Sequence, residues 1–472
     1  MKRALIILLV GLMGFAGIAG IAACSSPDPG SVDAGDHDTG DQDTGDQDAG
    51  DTGESDTDTG GTGDAGENGE NGPDPLACPP LSEPQGQIVE VTQDNLADLP
   101  HLVRTADPDT HFVFEPGTYD LPNTLHVRAP GLSFRSSTGD ANDVVLDGRY
   151  EVNSLFLVNA SDVTIAHLTL TRAVHHAVHV SPEGDATEDV VGTDLYGLRI
   201  FDISQQFVKV NSNGARTAFV DDGRLECSYF ELTDAGRPNV DPTATGCYTG
   251  GIDAHSSRGW LIRNNDFIDI YCDGAGLAEH AVHFWSASRD TLVENNRIIG
   301  CARGVGFGLS ESGNVRDYDD DPYPEVEGYI GHYDGLIRNN IIFADHEWYD
   351  TGIELAQARG ARVYHNTIYT PEATGAFSSI DYRFPNTDAV IRNNLTDRIS
   401  VRNGASATVD HNLEGIGPEL FVDVTALNFR LVATATDAID QGVEVDDAGI
   451  DIDGNPRNAG EAPDIGAHEF ID

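Results

Sequence analysis

The sequence predicts an all-β chain built as a solenoid, with short strands making one coil per repeat and the coils stacking. Three observations predict it. From about residue 87 onward, short runs rich in Val, Ile, Leu and Phe alternate with Gly, Asn, Asp and Ser, and within the runs the period is two, as in a half-buried strand. A polar turn recurs at one phase as LIRNNDF, LVENNRI, LIRNNII and VIRNNLT, with the variants VYHNTI and VDHNL. Beyond residues 92–104 (TQDNLADLPHLVR), no stretch reads as a helix.

Taken in chain order, residues 1–24 read MKRALIILLVGLMGFAGIAGIAAC. Two basic residues, an apolar run and small residues before a Cys have the layout of a secretory signal. The ending Ile21-Ala22-Ala23-Cys24 resembles a bacterial lipobox, which implies lipidation of Cys24 after removal of residues 1–23. Ser25, rather than Asp, after that Cys resembles an outer-membrane sorting signal, so the expected location is the outer membrane, lipid-anchored. Residues 24–75 form an Asp/Gly/Thr-rich stretch with 16 acidic and no basic side chains between 25 and 75. So few apolar residues cannot bury a core, and the charges repel one another, so a disordered, extended tether is expected.

Net formal charge is −52. Without the leader and the tether, 63 acidic residues still face 25 basic ones, so the folded part is acidic as well. Nucleic acid and anionic membrane surfaces are excluded as partners by repulsion, leaving the lipid as the only membrane contact. A polyanionic glycan needs a bound cation or a local basic site. Lys209 stands out, because the only other lysine is Lys2 in the leader.

Residues 92–104 predict a short helix capped by Asp94 or Asn95. The turns then align on Leu168, Leu198, Ser228, Asn265, Asn296, Asn340, Asn366, Asn394 and Asn412, at spacings of 30, 30, 37, 31, 44, 26, 28 and 18. A core period near 30 with variable excess means one coil per repeat with insertions in the turns. Six Asn residues at one phase predict a stack whose amides hydrogen-bond from coil to coil.

This pattern resembles the right-handed parallel β-helix of the pectin-lyase-like superfamily. The resemblance includes the opening stretch FVFEPGTYDLPNTLHVRAPGLSFRSSTGDANDVVLDG and a tail, DIDGNPRNAGEAPDIGAHEF, like the closing segment of secreted bacterial β-helix proteins. It implies a solenoid over 76–415, an N-terminal cap and a C-terminal closing segment over 416–472. Caps are expected because open strand edges invite aggregation.

The runs that open the coils are AVHVS, FVKVN, GIDAH, AVHFW, GVGFG and GIELA. Alternation turns Val178, Val208, Ile252, Val282, Val305 and Ile353 inward. It turns His179, Lys209, Asp253, His283, Gly306 and Glu354 outward, with Asn211, His255 and Trp285 in the next outward column. Glu279 and His280 arrive just before the fourth run. A solvated sheet face usually carries Thr, Ser, Asn, Lys and Glu; several His, a Trp and a lone Lys point to a functional groove. The insertions 234–250, 271–280 and 309–335 would wall it.

The resemblance implies a polysaccharide partner and, as reaction, elimination on a uronate glycan. That reaction needs a base for the C5 proton, neutralisation of the carboxylate and an acid for the leaving oxygen. Lys209 with a lowered pKa, or His283, is the candidate base, with Asp253 and His255 beside them. His179, Asn211, Trp285, Glu279, His280 and Glu354 are candidate substrate contacts. Asp253 and Glu354 are candidate Ca2+ ligands. His255, Asp253, His283 and His280 are the alternative transition-metal set, and the acidic turn 316–328 is a second candidate calcium loop. Two other readings stand beside the lyase: a non-catalytic glycan-binding or surface-interaction protein, and a glycoside hydrolase using Asp253 and Glu279. The chain is expected to be a monomer. Beyond Cys24, the expected disulfides are Cys272–Cys301 and Cys227–Cys247, leaving Cys78 free.

Overall fold

The computed structural model describes residues 78–243, 246–274, 276–371 and 377–471. The expected leader, the lipidation site Cys24 and the acidic tether lie outside the described residues. No helix among the described residues is long and apolar enough to cross a membrane.

Three parallel sheets of 14, 11 and 10 strands run the length of the coil. One turn of the solenoid shows how. His176–Val180 lies in the 10-stranded sheet, Asp194–Tyr196 in the 14-stranded one and Arg199–Phe201 in the 11-stranded one; the chain then returns to the first of these as Gln206–Val210. Each strand pairs with its equivalent one coil away. The chain is therefore a parallel β-helix, and its Val, Ile, Leu and Phe side chains stack inside in one continuous core. Phe230 lies on Phe267 at 4.6 Å between ring centres.

The corner between the 14- and 11-stranded sheets explains the Asn-Asn pairs. The first member takes a left-handed conformation: φ is 57° at Asn264, 55° at Asn295, 57° at Asn339 and 57° at Asn393. Asn tolerates that region better than most residues, and His365 and Gly197 fill the same role in other coils. The second member turns inward. Asn265 Nδ2 donates to Asn296 Oδ1 at 2.9 Å, and the chain of amides continues through Asn340, Asn366 and Asn394 to Asn412. Ser228 carries the ladder one coil further back, its amide donating to Asn265 Oδ1.

The expected helix is a 3-10 turn over Gln93–Asp98 followed by a short α-helix over Leu99–Arg104. Its cap is Thr92, whose amide donates to Asn95 Oδ1 at 2.9 Å, rather than Asp94 or Asn95. Leu99 and Val103 are buried in the end of the core. The segment after 415 behaves differently from a cap on the far end. Phe421–Asp423 and Asn428–Leu431 form an antiparallel pair. Their Phe421, Phe429 and Leu431 pack on Ile341, Phe343 and Tyr369 of the 11-stranded sheet. The tail thus lies along the flank, drawn by that apolar strip. In the last coil the inward positions Val401 and Val409 remain 57% and 38% exposed.

Both expected disulfides are replaced. The bonds are Cys78–Cys227 and Cys247–Cys272, and Cys301 is a buried free thiol. The reason is side-chain direction. Cys301 points into the solenoid core, its Sγ near the carbonyl of Phe267, whereas Cys272 packs in a separate outer cluster with Cys247. Cys227 sits at the left-handed corner, φ 57°, where the segment from Cys78 passes.

Candidate functional site

The 10-stranded sheet builds the site. Its register pairs Val178 with Val208, Val208 with Ile252, Ile252 with Val282, Val282 with Val305 and Val305 with Ile353. All six are buried. The outward column therefore runs His179, Lys209, Asp253, His283, Gly306, Glu354, one per coil. It continues to Asp381, in a strand the sequence reading did not place in the array. Continuing the alternation through Ser378–Arg383 would have found it.

Lys209, Asp253 and His283 are brought together, but as a buried floor, only 6%, 4% and 1% exposed. Lys209 Nζ forms a salt bridge with Asp253 Oδ2 and donates to His255 Nε2 at 3.1 Å. Trp285 Nε1 donates to Asp253 Oδ1 at 2.8 Å. The Trp285 ring lies parallel to His283 at 5.4 Å and against His255 at 4.4 Å. Above this floor His179, Asn211, His255 and Trp285 form a half-buried rim. Asn211 Nδ2 stands 3.3 Å from His179 Nε2. Arg216 bridges Ser256 Oγ and the carbonyl of Val315, so the insertion after 308 leans over this edge.

The charges are set by this packing. Burial works to lower the pKa of Lys209, but the Asp253 carboxylate, with Tyr248 and Glu279, outweighs it, and the pKa is raised. Lys209 is thus a fixed ammonium, which corrects the expectation of a lysine base. Burial works to raise Asp253; Lys209, His255 and His283 hold it well below the usual carboxylate range. Burial, then the Lys209 charge, lowers His255 and takes His179 down to about 4. Burial, then His280, takes His283 down to about 4.

Three expected contacts sit elsewhere. Glu354 is 4% exposed and salt-bridged to Arg383, a residue the sequence reading missed. His280 is 1% exposed, with its ring over Gly306. Both lie in the buried layer beneath the rim. His280 escaped the alternation because Gly251 and Ala281 at the strand starts turn inward, so the residues before them face out. Glu279, half-buried, points its Oε2 at His283 Nδ1 at 3.8 Å. Asp253 Oδ1 reaches the same nitrogen at 3.5 Å. The two carboxylates thus both approach one imidazole nitrogen.

Calcium does not fit as expected. Asp253 and Glu354 stand three coils apart in register, about 14 Å at the spacing of paired strands. Their oxygens are already engaged by Lys209, Trp285 and Arg383. In the acidic insertion, Asp320 is answered by Arg258 and Arg289, while Arg316 reaches across to Asp221.

No protein-family model matches the sequence, and no curated protein matches it. Among solved structures, pectate lyase Pel9A is 15% identical with a TM-score of 0.48, covering 79% of this chain and 90% of its own. An alginate lyase from Paenibacillus sp. is 13% identical with a TM-score of 0.45, covering 69% and 99%. The surface adhesin PfbA of Streptococcus pneumoniae is 12% identical with a TM-score of 0.38, covering 68% and 88%. These are likenesses of fold, and the chain's own strand pairing makes it a parallel β-helix.

Proposed function

We propose that the rim formed by His179, Asn211, His255 and Trp285 binds a polysaccharide, and that the groups beneath it carry out elimination on a uronate residue. The observation that carries this reading is the hydrogen-bonded unit Lys209–Asp253–His255–Trp285. A buried ion pair stabilises a fold little compared with apolar side chains of the same volume. A ligand would account for its position under the half-buried aromatic rim. Trp285 offers a face for sugar stacking. A uronate carboxylate entering beside Lys209 would take over one of the ammonium's hydrogen bonds. His255 Nε2, neutral and released from Lys209, would then accept the C5 proton; the C4–O bond breaks as C4=C5 forms, and the leaving oxygen takes its proton from water at the rim.

The test is incubation of the protein with a panel of uronate polymers while following the absorbance of unsaturated ends. Signal in the wild type, lost in Lys209→Met and His255→Gln, is the expected result. Retained binding with no unsaturated ends from any polymer would replace the reaction by the second reading, a glycan-binding surface, which the deep burial of Lys209 and Asp253 favours.

The proposal includes an outer-membrane location through lipid on Cys24, because the leader ends as a lipobox does. Fatty-acid label should enter the wild type and not Cys24→Ala.

A further inference from the structure

We propose that Glu279, His280 and His283 hold a divalent transition-metal ion, with Zn2+ the best fit. One ligand atom from each of the first three lies within 4.8 Å of the others. Asp253 Oδ1 is 3.5 Å from His283 Nδ1. A tetrahedral Zn2+ with bonds of about 2.0–2.1 Å has its ligand atoms about 3.3 Å apart. Modest rotation of the Glu279 side chain, 16% exposed, and of the two rings closes the difference.

Two features point to an ion. Buried polar atoms of these three side chains have no hydrogen-bond partner: Glu279 Oε2, His283 Nδ1 and both ring nitrogens of His280, one of which can face this point. Buried polar atoms are normally satisfied, and a group of orphans around one point is unusual. His280 Nε2 reaches Glu354 Oε2 only at 3.7 Å, and Arg303 Nη1 stops 4.0 Å from Glu279 Oε2. The second feature is the far side of His283. Its Nε2 lies 3.1 Å from the carbonyl oxygen of Gly308 and must donate to it. That tautomer leaves a lone pair on Nδ1, aimed at two carboxylates. Lone pair against carboxylate is repulsive unless a proton on Nδ1 or a metal cation stands between them. An imidazole whose other N–H is held by a carbonyl is the usual arrangement of a metal-bound His.

Gly306 belongs to the same construction. A Cβ there would meet His280 Cε1 at 2.8 Å, so the missing side chain makes room for the ring. The donor set of two imidazoles and one carboxylate suits Zn2+ and its neighbours rather than Ca2+, which takes six to eight oxygens.

The test uses the purified full chain, stripped with a chelator and dialysed, with no saccharide present. Its outcome is therefore separate from that of the glycan assay. Zn2+ is titrated by calorimetry and Co2+ by visible absorption. The expected result is one saturating equivalent of Zn2+, tetrahedral Co2+ bands and a higher Tm. Glu279→Gln and His283→Gln should each weaken Zn2+ at least tenfold, while His411→Gln, on an exposed side chain, should not. Circular dichroism of the metal-free variants separates loss of ligand from loss of fold. If either ligand variant fails to fold, Gly306→Ala, which shifts the His280 ring and removes no ligand, should still weaken binding. No saturable equivalent in the folded wild type would overturn the proposal. So would unchanged affinity in the folded variants, or displacement of Zn2+ by equimolar Ca2+.

Discussion

At Lys209 the sequence drew attention to a residue whose charge the structure sets otherwise than expected. A lone lysine on a strand full of histidines invites the idea of a burial-lowered pKa. The neighbour in register, Asp253, supplies a charge that outweighs burial and keeps the ammonium. The pair predicts a particular pattern of stability. Lys209→Met leaves Asp253 buried and uncompensated and should cost about 3–5 kcal/mol. Adding Asp253→Leu should recover much of that loss, short only of the hydrogen bond from Trp285 Nε1. Urea unfolding of the two single variants and the double variant checks this. A double variant no more stable than Lys209→Met would mean that the pair is not an isolated unit. The roles of His280 and Glu354 were hidden for a related reason. Period-2 alternation assigns faces, but it does not say which outward side chains lie beneath loops or against an arginine two residues along the next strand.

At the scale of the element, the Asn ladder was the most readable part of the chain. Its residues recur at one phase because each coil needs the same amide at the same corner. Asn340 sits mid-ladder: its Nδ2 donates to Asn366 Oδ1, Val293 O and Arg338 O, and its Oδ1 accepts from Asn296 N and Nδ2. Removing it strands partners on both sides in the core. Asn340→Ala should cost about 3 kcal/mol or more, since each buried unsatisfied group costs roughly 1–3 kcal/mol. Asn412→Ala, at the half-buried end of the ladder, should cost less than half as much. Thermal unfolding of the two variants distinguishes a ladder from a row of independent turns; equal losses would favour the turns. The closing tail was legible as a segment but not in its placement. Its apolar residues could lie over an open end or along a flank, and only the strip Ile341, Phe343, Tyr369 decides for the flank.

For the whole molecule, the disulfides link places far apart in sequence. Cys78–Cys227 spans 149 residues and ties the start of the described chain to a corner of the solenoid. Alongside it, Tyr196 donates to the carbonyl of Pro79 at 2.6 Å and Arg135 to that of Ser82 at 2.7 Å. Closing so long a loop stabilises by up to about 5 kcal/mol on chain-entropy grounds. Cys227→Ser should therefore lower Tm and expose residues 78–86 to protease first. Peptide mapping without reductant should return Cys78–Cys227 and Cys247–Cys272, with Cys301 alkylated only after unfolding, because it is buried and its thiol pKa is raised. A Cys272–Cys301 peptide would contradict this arrangement.

By itself, the sequence determined the solenoid, the register of the strands and the column His179–Lys209–Asp253–His283. Those follow from period-2 alternation and a repeated corner, which are local patterns written residue by residue. Only the tertiary structure decided the charge of Lys209, the burial of His280 and Glu354, the partner of each cysteine and the resting place of the tail. Each of these depends on which groups meet across coils and under insertions, and burial and Coulomb interaction are properties of that meeting rather than of any one segment.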